Sequence, residues 1–304
     1  MPRESEDAAL LYAATGGVAE YLDFVDTSAS AEENLIRLFF EPNGRLVEEP
    51  DNLLKQELRE PKRYSTILAA IASGASKNNQ IATKTGISSG ALTNYLEALI
   101  DLGIVSRESP WVAPGGRGAM GAGGSVSRGA SPGGGRGGRN TIYRIQDGCF
   151  WFWYRFVWPN LSPIEMYAGR AAFQATVAPE LNSFMGLGFE QIVADLFDRA
   201  NTAGELAESY PTRGRWWGTD PDTRQAEEID LVAGSKTATL FMEAKWINRP
   251  IGLDVLETLE RRSTLVPTPR KRQKHYAIYA KQGFTPELVA LAEKRPDLAL
   301  YSFL

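Results

Sequence analysis

The sequence predicts a multidomain α+β protein, helical through its first two thirds and closed by an α/β layer on a mixed sheet. Three observations carry that reading. A chain of 304 residues exceeds one ordinary domain and suits two or three. From about Met185 onward, short apolar strand-like runs alternate with helical patterns, the arrangement that lays crossover helices on a partly parallel sheet. Between residues 114 and 139 a glycine-rich stretch with four arginines and no acid interrupts the helical part. Such a composition cannot bury enough apolar surface to order itself.

Bulk properties narrow the class. With 43% hydrophobic and 23% charged residues, the composition is that of a soluble globular protein. No run approaches ~18 consecutive apolar residues, so no membrane span is expected. The N-terminus lacks a basic segment followed by an apolar one, which argues against a secretory signal. The single cysteine, Cys149, can form no internal disulfide, and a reducing cytoplasm is the expected location. It lies in GCFWFWYRF, far in sequence from the only histidine, His275, and reads as a small buried residue rather than a nucleophile. The net charge of −4 is unevenly spread. Residues 62 to 144 hold ten Lys/Arg against three Asp/Glu, and local charge decides attraction to phosphates.

Four regions follow along the chain. Residues 1–61 read as short amphipathic helices, AEYLDFV, ASAEENLIRLFF and DNLLKQELRE, separated by turns at Gly16-Gly17 and Pro42-Asn43-Gly44. They are too short to form an independent core. Residues 62–147 carry helices expected over 65–72, 77–84 and 89–102. In the third, Leu92, Tyr95, Leu96 and Leu99 recur at helical spacing after a Ser88 cap. Gly103 stops it, and β-prone runs at 104–108 and 141–145 flank the glycine-rich insert. Three helices and two wing strands make the pattern of a winged helix-turn-helix, with the insert as a disordered wing tip. Residues 148–184 open with the aromatic block CFWFWYRFVWPN, read as a buried packing helix that links two domains.

Residues 185–304 hold the chemistry. A helix over 187–200 presents Phe189, Ile192, Val193, Leu196 and Phe197 on one face. A turn-rich stretch follows, then strands EEIDLVA and TLFMEAKW, a helix at 253–264, strand HYAIYA, a helix at 286–294 and strand LALYSF. A four-residue break, Gly234 to Thr237, predicts a hairpin with Ala233 opposite Ala238 and Asp230 opposite Phe241. The two-residue side-chain period then puts Asp230, Glu243 and Lys245 on one sheet face. Asp230 and Glu243 become diagonal neighbours roughly 7–8 Å apart. Two converging carboxylates suit one hard divalent cation, with Mg²⁺ expected for all-oxygen ligands. A lysine beside them can stabilise developing charge or orient a water. Asp and Glu-x-Lys on neighbouring strands is a weak pattern alone. It gains weight because Glu243 and Lys245 emerge from the apolar run TLFM, where charges are costly unless paired or metal-bound. Glu190, on the preceding helix, is a further candidate ligand or base. The rival Pro221-Asp222 reads as a loop.

At this point a resemblance becomes specific. The runs TGGVAEYL, EEPDNLLKQELREPKRYSTILAAIASG, FWYRFVWPNLSPIE and GRWWG…EEIDLVA…FMEAKW resemble the C-terminal half of an archaeal and bacterial ATPase family. There an AAA-type ATPase domain is followed by a winged helix and a domain of unknown function similar to PD-(D/E)xK nucleases, with a restriction-endonuclease-like fold. The resemblance covers nearly the whole chain apart from the insert. It implies nuclease-type positions at Glu190, Asp230, Glu243 and Lys245, and a helical ATPase-lid segment at residues 1–61. One departure is large: the sequence contains no G-x-x-x-x-G-K-[ST] phosphate loop. The chain therefore reads as a truncated or split member without the ATPase core. No nucleotide cofactor is expected and ATP hydrolysis by this polypeptide alone is not expected; a separate ATPase subunit stays open as a partner.

If the winged helix meets DNA, its third helix enters the major groove. Ser89, Thr93 and Asn94 then reach base edges while Lys84, Arg107 and Arg144 contact phosphates. Two readings stay open. One is a Mg²⁺-dependent DNA endonuclease, with a homodimer as the arrangement that cuts both strands. The other is a non-catalytic DNA- or protein-binding regulator on a nuclease-derived scaffold, since fold ancestry does not establish activity.

Overall fold

A computed structural model describes residues 2–114 and 140–304. Apart from Pro114, the glycine-rich insert lies outside the described residues. The chain divides into two compact units, Met1–Arg107 with Ile142–Gly188 and Glu108–Thr141 with Phe189–Leu304.

The first unit is mainly helical. It begins with α1 (Pro2–Thr15), which the sequence reading did not anticipate, then α2 (Ala19–Leu22), α3 (Ala31–Phe39) and α4 (Glu49–Glu57). Ser30 caps α3 by accepting the Glu33 N–H at 3.2 Å, and Glu32 and Glu33 favour its positive end. Leu35, Ile36, Leu38 and Phe39 are fully buried along α3. Their partners come from the aromatic block. Phe39 packs on Phe152 with centroids 4.8 Å apart, and Phe40 meets Phe173 edge-on at 5.2 Å. The short N-terminal helices thus borrow their core from residues more than a hundred positions away.

Helices α5 (Pro61–Ala72), α6 (Asn78–Thr85) and α7 (Ser89–Asp101) follow, then β1 (Val105–Glu108) and β2 (Ile142–Ile145), which pair as a two-stranded sheet. Leu92, Leu96 and Leu99 are buried on α7. Tyr95 is only partly covered and donates its hydroxyl to Glu60 Oε2 at 2.7 Å. Gly86 ends α6 at φ 70°, a left-handed conformation that glycine adopts without strain.

The aromatic block is not the uninterrupted helix expected. After α8 (Gly148–Phe152) the chain widens into a π-helical turn at Trp153–Val157 and tightens into a 3₁₀ turn at Trp158–Asn160. Helices α9 (Leu161–Glu165) and α10 (Gly169–Ala172) come next, and the same π-then-3₁₀ sequence recurs at Phe173–Val177 and Ala178–Glu180. Proline explains both. Pro159 and Pro179 lack an N–H and crowd the carbonyl four residues earlier, and a five-residue turn relieves the clash. Asn160 then donates to the Phe156 carbonyl at 2.8 Å.

Helix α11 (Leu181–Ala203) carries the chain into the second unit, whose sheet runs β3 (Thr212–Thr219), β4 (Ala226–Gly234), β5 (Ala238–Lys245), β6 (Gln273–Ala280) and β7 (Leu298–Ser302) in that spatial order. The first three strands are antiparallel and the last two pairings parallel. Crossovers α12 (Leu253–Leu265) and α13 (Pro286–Ala292) cover a core of Trp216, Ile229, Val232, Phe241, Leu256, Leu259, Ile278 and Leu288. On α11, Phe189, Val193 and Phe197 are buried, but Leu196 is 38% exposed, so its apolar stripe is narrower than its composition suggests. Strand β3 stands where the sequence predicts turns. Its glycines and arginines hide the strand, and pairing to β4 with Trp216 inward creates it.

The β4–β5 hairpin corrects the expected register. Gly234 pairs with Thr239 and Ala233 with Leu240, and the Ser235 N–H reaches Ala238 O at 3.0 Å. The loop is therefore two residues, Lys236 and Thr237, rather than four. Ser235 makes the tight turn possible: its buried Oγ accepts the N–H groups of Thr237 at 3.1 Å and Ala238 at 2.8 Å. Ser235→Ala should destabilise the protein by about 1–2 kcal/mol, read as a lowered urea midpoint.

Candidate active site

A β-bulge positions Asp230. Gly214 pairs with Val232 and Trp216 with Ile229, so Asp230 and Leu231 together oppose the single residue Arg215. Such a bulge re-aims a side chain and interrupts the ladder. The β4–β5 ladder accordingly stops at Leu231–Met242, and the next residues along are Asp230 and Glu243. The Asp230 carboxylate takes the place of a backbone partner there, its Oδ2 accepting the Ala244 N–H at 2.9 Å.

Glu243 is 3% exposed. It lies two residues beyond Phe241 on β5 and so shares the face that α12 covers. Lys245 Nζ donates to its Oε1 at 2.6 Å, and Arg262 Nη1 from α12 donates to the same oxygen at 3.2 Å. The second oxygen, Oε2, is buried with no hydrogen-bond partner. Burial, reinforced by the nearby Asp230 charge, pushes the Glu243 carboxyl up to about 7. For Lys245 burial acts downward, but Glu243 and Asp230 outweigh it and the ammonium is held above its ordinary value.

Behind this pair lies a second layer. Arg262 Nε donates to Glu227 Oε2 at 2.7 Å, and Arg261 binds both Glu227 and Asp220. Glu227 would be raised by burial, but its hydrogen bonds from Arg261 and Arg262 leave it below the usual value. On α11, Glu190 forms an ion pair with Arg215, which also reaches Glu228 at 3.4 Å. Arg215 feels Asp230 as well and, despite burial, is held more firmly protonated than usual.

The structure therefore brings Asp230, Glu243 and Lys245 together, and it links Glu190 to them through Arg215. Among the described residues no three His, Cys, Asp or Glu side chains converge as a metal-binding group. Two carboxylates do converge, one with an orphaned buried oxygen. Oxygen donors of that kind fit a hard divalent cation, with Asp230 and Glu243 as the residues to hold it. Sequence reasoning missed Arg215, Arg262 and Glu227. The doublets Glu227-Glu228 and Arg261-Arg262 were visible, but nothing in their spacing tied them to one another.

In the first unit, Ser89, Thr93 and Asn94 are exposed on α7. Lys84 donates to the Ser73 carbonyl at 3.0 Å and to its hydroxyl at 2.9 Å, and Arg107 pairs with Glu97 at 2.5 Å. Arg144 lies half-buried on β2.

Fold and site together define an α+β chain whose mixed-sheet unit carries a buried acidic and basic cluster. A family model described as archaeal and bacterial proteins of unknown function, DUF234, matches residues 153–262, a stretch that includes Glu190, Asp230, Glu243, Lys245 and Arg262. The chain is also similar to an uncharacterized protein of Methanocaldococcus jannaschii, with 27% identity over 291 residues, 91% of this chain. It spans about half, 56%, of that relative's length. No solved structure matches it. Among the described residues no helix is long and apolar enough to cross a membrane.

Proposed function

We propose that the second unit is a nuclease of the PD-(D/E)xK kind that hydrolyses phosphodiester bonds in DNA, with Asp230 and Glu243 holding Mg²⁺ and Lys245 beside them. The observation that carries this reading is Glu243, buried, with one oxygen unpartnered next to Asp230 at a bulge. The order helix, three antiparallel strands, helix, parallel strand supports a restriction-endonuclease-like fold. A Mg²⁺ ion held by Asp230 and Glu243 would supply Lewis acidity at the scissile phosphate. The chain's own groups do the rest. Lys245 presents a cation toward charge that develops on a phosphoryl oxygen. Asp230 is fixed by the Ala244 N–H, and Glu190 acts through Arg215 to orient that side of the site.

Helices α5 to α7 with β1 and β2 are read as a winged helix-turn-helix that delivers DNA. Exposed Ser89, Thr93 and Asn94 face base edges and Arg144 faces phosphate, while Lys84 and Arg107 must exchange internal partners to join. Because the chain resembles the region that follows an AAA-type ATPase domain, an ATPase subunit is the partner proposed for it, in the cytoplasm, with a homodimer as the arrangement for double-strand cleavage. The test is incubation of the purified chain with single- and double-stranded DNA and Mg²⁺ or Mn²⁺. Cleavage supports the nuclease. In that assay Lys245→Ala should slow single-turnover cleavage by about 10²-fold with metal affinity nearly unchanged. A second reading, a non-catalytic DNA- or protein-binding regulator, is favoured by the ion pairs that already engage Glu243 and Glu190. DNA binding without cleavage under all these conditions selects it.

A further inference from the structure

Arg262 has no part in the chemistry just described, yet it rests on a candidate metal ligand. Its Nη1 donates to Glu243 Oε1 at 3.2 Å while its Nε donates to Glu227 Oε2 at 2.7 Å. Glu227 is 8% exposed and is also gripped by Arg261, which is tied in turn to Asp220. The guanidinium is thus anchored from behind by a carboxylate outside the proposed ligand set. When Glu243 takes another cation, Arg262 cannot swing away without breaking a buried pair. Lys245 already shares the same Glu243 oxygen.

Charge counting gives this anchor a consequence. At Glu243 the balance is local: Asp230 and Glu243 face Lys245 and Arg262, while Arg215 is engaged by Glu190 and Glu228, and Arg261 by Asp220 and Glu227. A divalent cation therefore meets two carboxylates whose charge Lys245 and Arg262 already offset, and a phosphodiester anion supplies further negative charge. Like charges that share a buried carboxylate repel strongly where water screening is weak.

We propose that Arg262, fixed by Glu227, holds down the affinity of the Asp230–Glu243 site for a divalent cation until a phosphodiester enters, so that metal and nucleic acid bind cooperatively. This rests on the metal-site reading above. Cooperativity is reciprocal: whatever the phosphodiester adds to metal affinity, the metal adds to nucleic-acid affinity. Arg262 is a positioning residue here, acting on Glu243 and on the charge balance rather than touching substrate.

The experiment is calorimetric titration of Mn²⁺ into the full chain at pH 8, alone and with a phosphorothioate duplex that keeps its charge and resists cleavage. Wild type should bind Mn²⁺ about tenfold more tightly with the duplex. Arg262→Gln should bind about tenfold more tightly than wild type without it, and should gain less than about threefold from the duplex. Arg262→Lys keeps the charge and should stay within about threefold of wild type. Glu227→Gln loosens the anchor and should shift affinity in the direction of Arg262→Gln, which keeps the test decisive if that variant fails to fold. Equal or weaker Mn²⁺ binding by Arg262→Gln, or by Glu227→Gln in its stead, overturns the proposal while the metal-site reading stands. Absence of Mn²⁺ binding by every variant, with and without duplex, overturns both.

Discussion

Asp230→Ala and Glu243→Ala should each reduce DNA hydrolysis by at least about 10³-fold, to background. Glu243 carries a buried oxygen with no hydrogen-bond partner, and the charge of Asp230 acts on it from close by. Either truncation leaves one carboxylate of the proposed ligand pair beside Lys245 and Arg262, too little negative charge to retain a divalent ion. Because the pair acts as a unit, the double variant should be no slower than either single one. Single-turnover cleavage measured beside circular dichroism separates this loss from unfolding. Substantial activity in either variant contradicts the assigned roles.

The second large effect concerns stability and has the opposite sign. Glu243 titrates near 4.5 when exposed, and burial raises it to about 7 in the folded chain. A carboxyl raised on folding binds its proton more tightly in the native state, so its stabilising contribution is complete below about pH 4.5 and is lost as pH rises through 7. Without metal the loss is on the order of 2–3 kcal/mol by pH 8. Glu243→Gln, which resembles the protonated carboxyl, should therefore melt several degrees above wild type at pH 8 and together with it near pH 4.5. Saturating Mn²⁺ should narrow or reverse the pH 8 difference, because binding to the native state alone stabilises only a chain that retains the ligand. A Glu243→Gln variant less stable than wild type at pH 8 without metal would show that the ion pairs of Glu243 outweigh its burial.

The face shared by Asp230, Glu243 and Lys245 was legible even though the hairpin was not. The expected register was off by two residues, and a two-residue slip returns every side chain to the same side of the sheet. The two-residue loop itself depends on the Ser235 hydroxyl folding back on Thr237 and Ala238, which no strand pattern announces. The bulge at Asp230 was hidden for a deeper reason. It exists only relative to β3, and β3 reads as TRGRWWGT, a glycine- and arginine-rich run that becomes a strand by pairing. Once β3 was missed, Arg215 and its ion pair with Glu190 were out of reach. Arg262 and Glu227 illustrate the same limit, since an ion pair 35 residues apart in sequence is fixed by tertiary packing. In the first unit the signal was present and unused: Pro159 and Pro179 follow aromatic-led helical runs at matching places, and each forces a π turn.

The central claim is that Asp230 and Glu243 form one divalent-cation site, and Mn²⁺ calorimetry on wild type and Asp230→Ala, each with and without the phosphorothioate duplex, tests it most directly. The account predicts saturable binding at one equivalent in the wild-type chain, strongest with duplex present, and none in Asp230→Ala. No saturable binding in folded wild type, or binding unchanged by the substitution, would contradict it.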